Sequence, residues 1–425
     1  MKQLHLINKL KQSLSSQYIR NVGWLGAAEL VNRIFRLGVT VTLARMFSPQ
    51  DYGLMAVVYT TVEFSRIFTF KGGIGSKIIQ ADEQDVKTIC DTAYWLNWII
   101  CILVFIIQCI AAFPIAKFYG NNQLILPLCT VAFIYLLLPI FMVQSAMIER
   151  ENRLKIKALC NATQSIISHI LTVILAILGM GVWAIVWPMV LSTPVWIVIS
   201  YMKHPWRPPN LFKLDKWQEI ISFGSHMLGV ELLGMLRWNL DYLIVGKFLG
   251  IEALGVYYFA FNAGLGISLN VLNTFTSALF PYLCEALNNI KQLEERFFSS
   301  LKKTYTFIIP IIILQSSLAP FYVPIVFGQK WVTAIPLVVL LCLYALASPL
   351  SSATYILLNA VGKTQINLYW NLIYTFLFGI VLLATVHWGI FWVVISVLIC
   401  QAITPIFNIW AIKYVFTKYQ TVLVK

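Results

Sequence analysis

The chain has 425 residues, of which 59% are hydrophobic and only 11% charged, with a mean hydropathy of +0.78. A soluble protein would carry about twice that charged fraction, so a water-soluble globular domain is excluded. The formal net charge of +14 could mean nucleic acid or an anionic membrane surface, and in so apolar a chain it means membrane lipid, with no nucleic-acid partner implied.

In chain order, residues 1–20 are basic and weakly apolar. They carry no cleavable signal, and residues 5–18 suit a short helix lying on the inner surface. Apolar runs of membrane-spanning length then follow at 22–46, 52–70, 89–112, 122–147, 158–178, 182–202, 219–248, 253–280, 300–319, 331–357, 366–386 and 389–412. Twelve transmembrane helices use nearly the whole chain, leaving no soluble domain. Between the second and third runs, KGGIGSK (Lys71 to Lys77) has the glycines of a phosphate loop but lacks GxxxxGK[ST], and it reads as a turn leaving the second span. Asp82, Glu83 and Asp85 read as a solvated loop face. The outer loops are too short to hold a catalytic domain, and no cofactor or metal is implied. The eight cysteines fall in or at the ends of spans with no paired spacing, which suits packing residues better than a disulfide or zinc framework.

Orientation follows from Lys and Arg. With the N-terminus cytoplasmic, 23 of the 31 fall in cytoplasmic segments and two, Lys117 and Lys330, in outer loops. That asymmetry places both termini in the cytoplasm of a multi-pass protein.

The chain also reads twice. LARMFSPQDYGLMA (Leu43 to Ala56) returns as IVGKFLGIEALGVYYFA (Ile244 to Ala260), with Glu29 over Glu231, Arg45 over Lys247 and Gly53 over Gly255 at an offset of 202. GVWAIV (Gly181 to Val186) lies over GIFWVV (Gly389 to Val394) at 208. The expected fold is therefore an all-α integral membrane protein of about twelve helices in two six-helix lobes, residues 1–210 and 211–425. The lobes would be related by a pseudo-twofold axis along the membrane normal.

Chemistry is carried by the ionisable groups inside spans, which are costly there and face a cavity or a partner. The first span holds Glu29, Arg33 and Arg36, within roughly 60° on a helical wheel. The second holds Glu63 and Arg66, and the seventh Glu231, Arg237 and Asp241. Two readings stand side by side. In one, Glu29–Arg33, Glu63–Arg66 and Arg237–Asp241 pair within their helices and form a neutral structural core. In the other, the polar faces line a water-filled cavity, where Arg33, Arg36, Arg66 and Arg237 bind an anionic substrate and Glu29, Glu63, Glu231 and Asp241 orient them or couple transport to an ion. His169 is the other ionisable group deep in a span.

The run NVGWLGAAELVNRIFRLGVTVTLARMFSPQDYGLMAVV, followed by GGIGSKIIQ, resembles the polysaccharide-export flippases of the multidrug/oligosaccharidyl-lipid/polysaccharide exporter superfamily. Its most specific piece is the turn with Pro49, Asp51, Tyr52 and Gly53 after a span ending in Ala-Arg. The resemblance implies translocation of an undecaprenyl-diphosphate-linked oligosaccharide from the cytoplasmic to the outer leaflet of a bacterial inner membrane, for O-antigen, capsule or exopolysaccharide synthesis. It implies a transporter, not an enzyme, with a polysaccharide polymerase and a chain-length regulator as partners. Cationic residues in the cavity of such proteins fit Arg33, Arg36, Arg66 and Arg237 here. The alternative is a proton- or sodium-coupled multidrug antiporter of the same superfamily, using Glu29 or Asp241; four deep arginines argue against a cation-accepting cavity.

Overall fold

A computed structural model describes residues 35–69 and 71–422; they are helical almost throughout, with no strand among them. Helix α1 covers 35–46. It is followed by α2 (Pro49–Ile67), α3 (Lys71–Gln80), α4 (Val86–Tyr119), α5 (Ile125–Arg150), α6 (Leu154–Ile177), α7 (Trp183–Leu191) and α8 (Pro194–Lys203). Then come α9 (Trp217–Phe248), α10 (Gly250–Cys284), α11 (Ile290–Tyr322), α12 (Ile335–Tyr344), α13 (Ser348–Ala360), α14 (Thr364–Thr385) and α15 (Ile390–Val422). Eight helical segments among these residues are long and apolar enough to cross a membrane, or nine if the bent α10 is one span. The first expected span lies largely outside the described residues. The second and seventh expected runs coincide with α2 and α9, which carry Glu63, Arg66, Glu231, Arg237 and Asp241 and are not among those eight or nine.

Two expected spans are each broken in two. The run 182–202 is α7 and α8, parted at Ser192–Thr193, and the run 331–357 is α12 and α13, parted at 345–347. In both, a proline opens the second piece (Pro194 and Pro349). Proline lacks the N–H that a continuous helix would need there but is well suited to a first turn.

Left-handed turns recur along the repeat. Gly120 and Gly328 have φ of 67° and 107°, Gly181 and Gly389 53° and 100°, and Asn152 and Gly362 55° and 71°. Each pair ends or begins equivalent helices. The repeated sequence thus encodes repeated punctuation, carried by residues that tolerate positive φ.

The chain forms two compact units. One holds residues 57–232 with residues up to Phe47; the other holds 48–56 and 233–425. Helix α2 therefore contributes its first turns to the second unit and the remainder to the first.

In the first unit, α4 and α5 pack along their lengths. The inward stripe of α4 is small or polar: Cys90, Ala93, Asn97, Cys101, Gln108 and Ala112 are buried. The outward stripe is large and apolar, with Leu103, Ile107, Ile110 and Phe113 more than half exposed. This inversion of the soluble pattern suits a lipid surround, in which close packing and internal hydrogen bonds hold helices together. The Gln108 amide, for example, donates to the Leu128 carbonyl at 2.9 Å.

The KGGIGSK segment is not the expected turn. It is the body of α3, which is helical despite its glycines because tertiary contacts outweigh propensity. Ile74 and Ile78 are buried against α4 and α5. The carbonyls of Ile78, Ile79 and Ala81 all accept from one Arg150 nitrogen, at 3.0, 2.9 and 2.6 Å, while the other reaches Glu83 at 2.8 Å. A guanidinium at a helix C-terminus satisfies carbonyls the helix cannot and complements its dipole. Asp85 is likewise paired, with Lys216 at 2.6 Å.

In the second unit, the start of α2 explains the sequence SPQDYG residue by residue. The Ser48 hydroxyl and backbone N–H donate to Asp51 Oδ2 at 2.7 and 3.0 Å, and the Asp51 N–H returns to Ser48 Oγ at 3.1 Å. This is a capping box with proline in the first turn. Tyr52 meets Trp331 and Phe259 edge-on at 4.9 and 5.9 Å. Gly53 and Gly255, equivalent in the repeat, make a reciprocal contact: a Cβ on Gly53 would overlap the Ile251 carbonyl oxygen, and one on Gly255 the Pro49 carbonyl oxygen. Pro49 and Ile251 are themselves equivalent at the offset of 202, so the two helix starts touch by the same residues.

Backbone cannot yield as a side chain can. Gly53→Ala or Gly255→Ala is therefore expected to destabilise the protein by about 1–3 kcal/mol, lowering its unfolding temperature in detergent. Gly38→Ala and Gly229→Ala, where a Cβ meets nothing, should be neutral or slightly stabilising. Equal behaviour of the four variants would remove the close contact as a determinant of stability.

Candidate functional site

Helix α6 carries Asn161, Gln164, Ser165, Ser168 and His169, a polar stripe at helical spacing in an apolar span. This stripe lines a cavity of about 480 Å³ in the first unit, closed by residues of α2, α5, α7 and α8. Its wall is aromatic as well as polar. Trp196 stacks on Phe141 with centroids 5.4 Å apart and donates its indole N–H to Gln164 Oε1 at 2.7 Å. The Tyr135 hydroxyl donates to the Val62 carbonyl at 3.3 Å, and the Thr193 hydroxyl to the Met189 carbonyl at 2.8 Å. The volume falls within the range of small-molecule sites. Arg66 also lines it, and among the described residues no Asp or Glu does.

The second unit holds a different arrangement. Asp241 on α9 is buried, 4% exposed. Its Oδ2 accepts from the Tyr257 hydroxyl at 2.6 Å and its Oδ1 from the Tyr242 N–H at 2.9 Å. Arg237, one turn earlier, donates to the Asn371 side-chain oxygen and lies over the Tyr374 ring, 4.5 Å from its centroid, a cation–π geometry. The Arg237–Asp241 pairing read from the i, i+4 spacing is thus replaced by partners from α10 and α14. The cleft around these two residues measures about 30 Å³, room for a water but not for a sugar.

Helix α10 bends by 51° between Gly266 and Ser268. Such a bend frees carbonyls, which inside a membrane must find partners. The Ala263 carbonyl accepts from Gln315 Nε2 at 2.6 Å and from the Tyr322 hydroxyl at 3.4 Å, and the Gly264 carbonyl from the Cys342 thiol at 3.3 Å.

The eight residues singled out by charge fall as follows. Glu29 and Arg33 lie outside the described residues. Arg36 and Arg66 are exposed on the first unit; Arg66 lines its cavity and Arg36 is within electrostatic reach of His169 in the same wall. Glu63 is exposed on α2, one turn from Arg66, and Glu231 is exposed on α9. Charge alone missed Asn161, Gln164, Ser168, Thr193 and Trp196, because neutral polar side chains do not register in a search for ionisable groups. The periodicity of NATQSIISH was the available signal. Tyr257 had none, since its role depends on α10 lying beside α9. Among the described residues, no group of three His, Cys, Asp or Glu is placed to hold a metal ion.

Residues 42–336 match the model of a family described as polysaccharide biosynthesis protein. The chain belongs to that family. Among curated relatives, the succinoglycan biosynthesis transport protein ExoT of Rhizobium meliloti (strain 1021) is 24% identical over 359 residues, 83% of this chain and 71% of ExoT. Among solved structures, an inward-facing multidrug resistance MATE family transporter of the MOP superfamily superposes with a TM-score of 0.73 at 15% identity, covering 92% of this chain and 96% of that one. The lipid II flippase MurJ, in an inward closed conformation, gives 0.71 at 14% identity, covering 94% and 90%. The fold is that of these transporters, in a multi-pass membrane protein.

Removing the Tyr257 hydroxyl leaves the buried Asp241 with the Tyr242 N–H alone from this pair of donors. Tyr257→Phe is therefore expected to cost about 1–3 kcal/mol, read as a lower unfolding temperature in detergent. In the Asp241→Asn background the same substitution should cost less. An equal cost in both backgrounds would show that the hydroxyl is not acting on the carboxylate.

Proposed function

We propose that this polysaccharide biosynthesis family member is a flippase. It moves an undecaprenyl-diphosphate-linked oligosaccharide from the cytoplasmic to the outer leaflet of a bacterial inner membrane, supplying O-antigen, capsule or exopolysaccharide synthesis. The observation that carries this reading is the polar cavity of the first unit, with Arg66 and no carboxylate among its described lining residues, set in a helical bundle whose described outer surface is apolar. A sugar with a polyprenyl tail needs both: polar groups for the glycan and a hydrocarbon-facing exterior beside which the tail stays in lipid. The name of ExoT and the flippase named among the solved structures agree with it.

In this reading residues 1–210 and 211–425 act as two six-helix lobes, both termini are cytoplasmic, and the lobes rock to alternate access. Arg33, Arg36, Arg66 and Arg237 present planar donor forks to the diphosphate and sugar, while Glu29, Glu63, Glu231 and Asp241 orient them or couple an ion. Two negative charges leaving a cell that is negative inside gain roughly 4–5 kcal/mol per 100 mV, so the membrane potential biases release outward. Polymerase and chain-length regulator act on the product.

Deleting the gene should make the lipid-linked oligosaccharide accumulate on the cytoplasmic face while surface polysaccharide disappears. Complementation with Arg36→Ala should restore export at roughly a tenth to a hundredth of the normal rate, the loss of one charge-assisted contact of about 1.5–3 kcal/mol. Arg36→Lys should fall between. Unimpaired export by Arg36→Ala at normal membrane levels would make that arginine structural, and export without accumulation in the deletion strain would overturn the flippase reading itself.

A further inference from the structure

Helix α11 carries a charge that neither arrangement described above uses. Lys303 falls inside the apolar run 300–319, where a cation is costly unless it meets an anion or a cavity. Among the described residues Lys303 makes no ion pair. The positions one turn away on α11, Ser299, Ser300, Thr306 and Phe307, hold no carboxylate. Lys303 lines instead a crevice of about 260 Å³ within the second unit, between α10, α11 and α13.

Most of the crevice wall is apolar. Leu272, Phe275 and Leu279 of α10 face it together with Pro349 and Ala353 of α13, and Phe275 packs against Phe307 with centroids 5.5 Å apart. Ser300 lies one turn before Lys303 and lines the same crevice. Its hydroxyl has no partner among the described residues; only its carbonyl is taken, by the Thr304 hydroxyl at 2.9 Å. Arg296 is already engaged. It lies over the Tyr282 ring, 4.5 Å from the centroid, and donates to the Tyr282 carbonyl at 2.7 Å and to Glu285 at 3.0 Å. The free donors are therefore one ammonium and one hydroxyl, set beside an apolar slot.

That set matches a singly charged phosphodiester with a hydrocarbon chain attached. A diphosphate carries more charge than the pair can meet. A zwitterionic headgroup brings an ammonium, and no Asp or Glu is among the described lining residues to receive it. We propose that the crevice is a site for an anionic glycerophospholipid, with Lys303 and Ser300 holding the phosphate and an acyl chain lying between α10, α11 and α13. Basic pockets between membrane helices on the cytoplasmic side take such headgroups, and in the orientation proposed above the turn joining α10 to α11 is on that side. The site belongs to the second unit alone and does not depend on what the protein transports.

The test uses the full chain in detergent, stripped of lipid. Dioleoylphosphatidylglycerol and dioleoylphosphatidylethanolamine are titrated separately, and bound molecules are counted by native mass spectrometry. One phosphatidylglycerol should bind about fivefold more tightly than phosphatidylethanolamine, the effect of one lysine beside an anionic headgroup. Lys303→Gln should remove that preference. Lys302→Gln, one residue away and not among the residues lining the crevice, should keep it. Ala278→Trp, at an exposed residue of the wall, should fill the slot and weaken both lipids about tenfold. On the unaltered protein, phosphatidylglycerol with a photoreactive diazirine in its acyl chain should label residues 272–282, 300–304 or 349–353.

Equal affinity for the two lipids overturns the proposal, as does a preference that survives Lys303→Gln. A preference that Lys302→Gln lowers as much as Lys303→Gln would reduce it to general surface charge and overturn it too. Labelling confined to other segments has the same consequence, and it is read without any substitution, so a variant that does not fold leaves the test intact. Undecaprenyl diphosphate binding more tightly than phosphatidylglycerol, with the same dependence on Lys303, would give the crevice to a polyprenyl lipid and sink the phospholipid assignment.

Discussion

A backbone N–H or C=O inside hydrocarbon has no water to pair with, and this constraint organises the structure. It makes the described chain helical, and it turns every irregularity into a demand for a specific partner. The bend in α10 is met by Gln315, Tyr322 and Cys342. The C-terminus of α3 is met by Arg150. The start of α2 is met by Ser48 and Asp51. In each case a polar residue that looks out of place in so apolar a sequence satisfies a backbone group at an irregularity.

The same constraint sorts the charges. Asp241 is buried but enclosed by hydroxyl and backbone donors, and Arg237 is held against Asn371 and Tyr374. These groups are embedded in local networks within the second unit, beside a cleft of only 30 Å³. Arg66 stands against a 480 Å³ space in the first unit. The two units therefore differ in their polar interiors: one has a cavity lined by Arg66 and neutral polar side chains, the other a compact acid surrounded by tyrosines.

The reciprocal approach of Gly53 and Gly255 shows why the short SPQDYG motif is the most specific stretch of the sequence. Capping, aromatic packing and backbone proximity converge within six residues, and each restricts residue type for a separate reason. The cavity wall is looser in this sense. The amides and hydroxyls along α6 that line it are spaced by helical period alone, so no short motif marks it.

By itself the sequence determined that the protein lives in a membrane and is helical, because hydrophobic run length is a property of the chain in one dimension. It also singled out the charges of α2 and α9, of which the structure buries Asp241 and leaves Glu63, Arg66 and Glu231 exposed. It misread KGGIGSK as a turn, since the burial of Ile74 and Ile78 and the reach of Arg150 across some seventy residues of chain (|i−j| of 72 to Ile78) are invisible along the sequence. It offered Arg237 and Asp241 as a pair, since i, i+4 spacing is all the chain shows, whereas Tyr257 and Asn371 become nearer competitors only once α10 and α14 pack beside α9. What the tertiary structure alone decided is which polar groups are already satisfied and which still face open space, because a hydrogen bond between distant segments is fixed by packing and not by spacing.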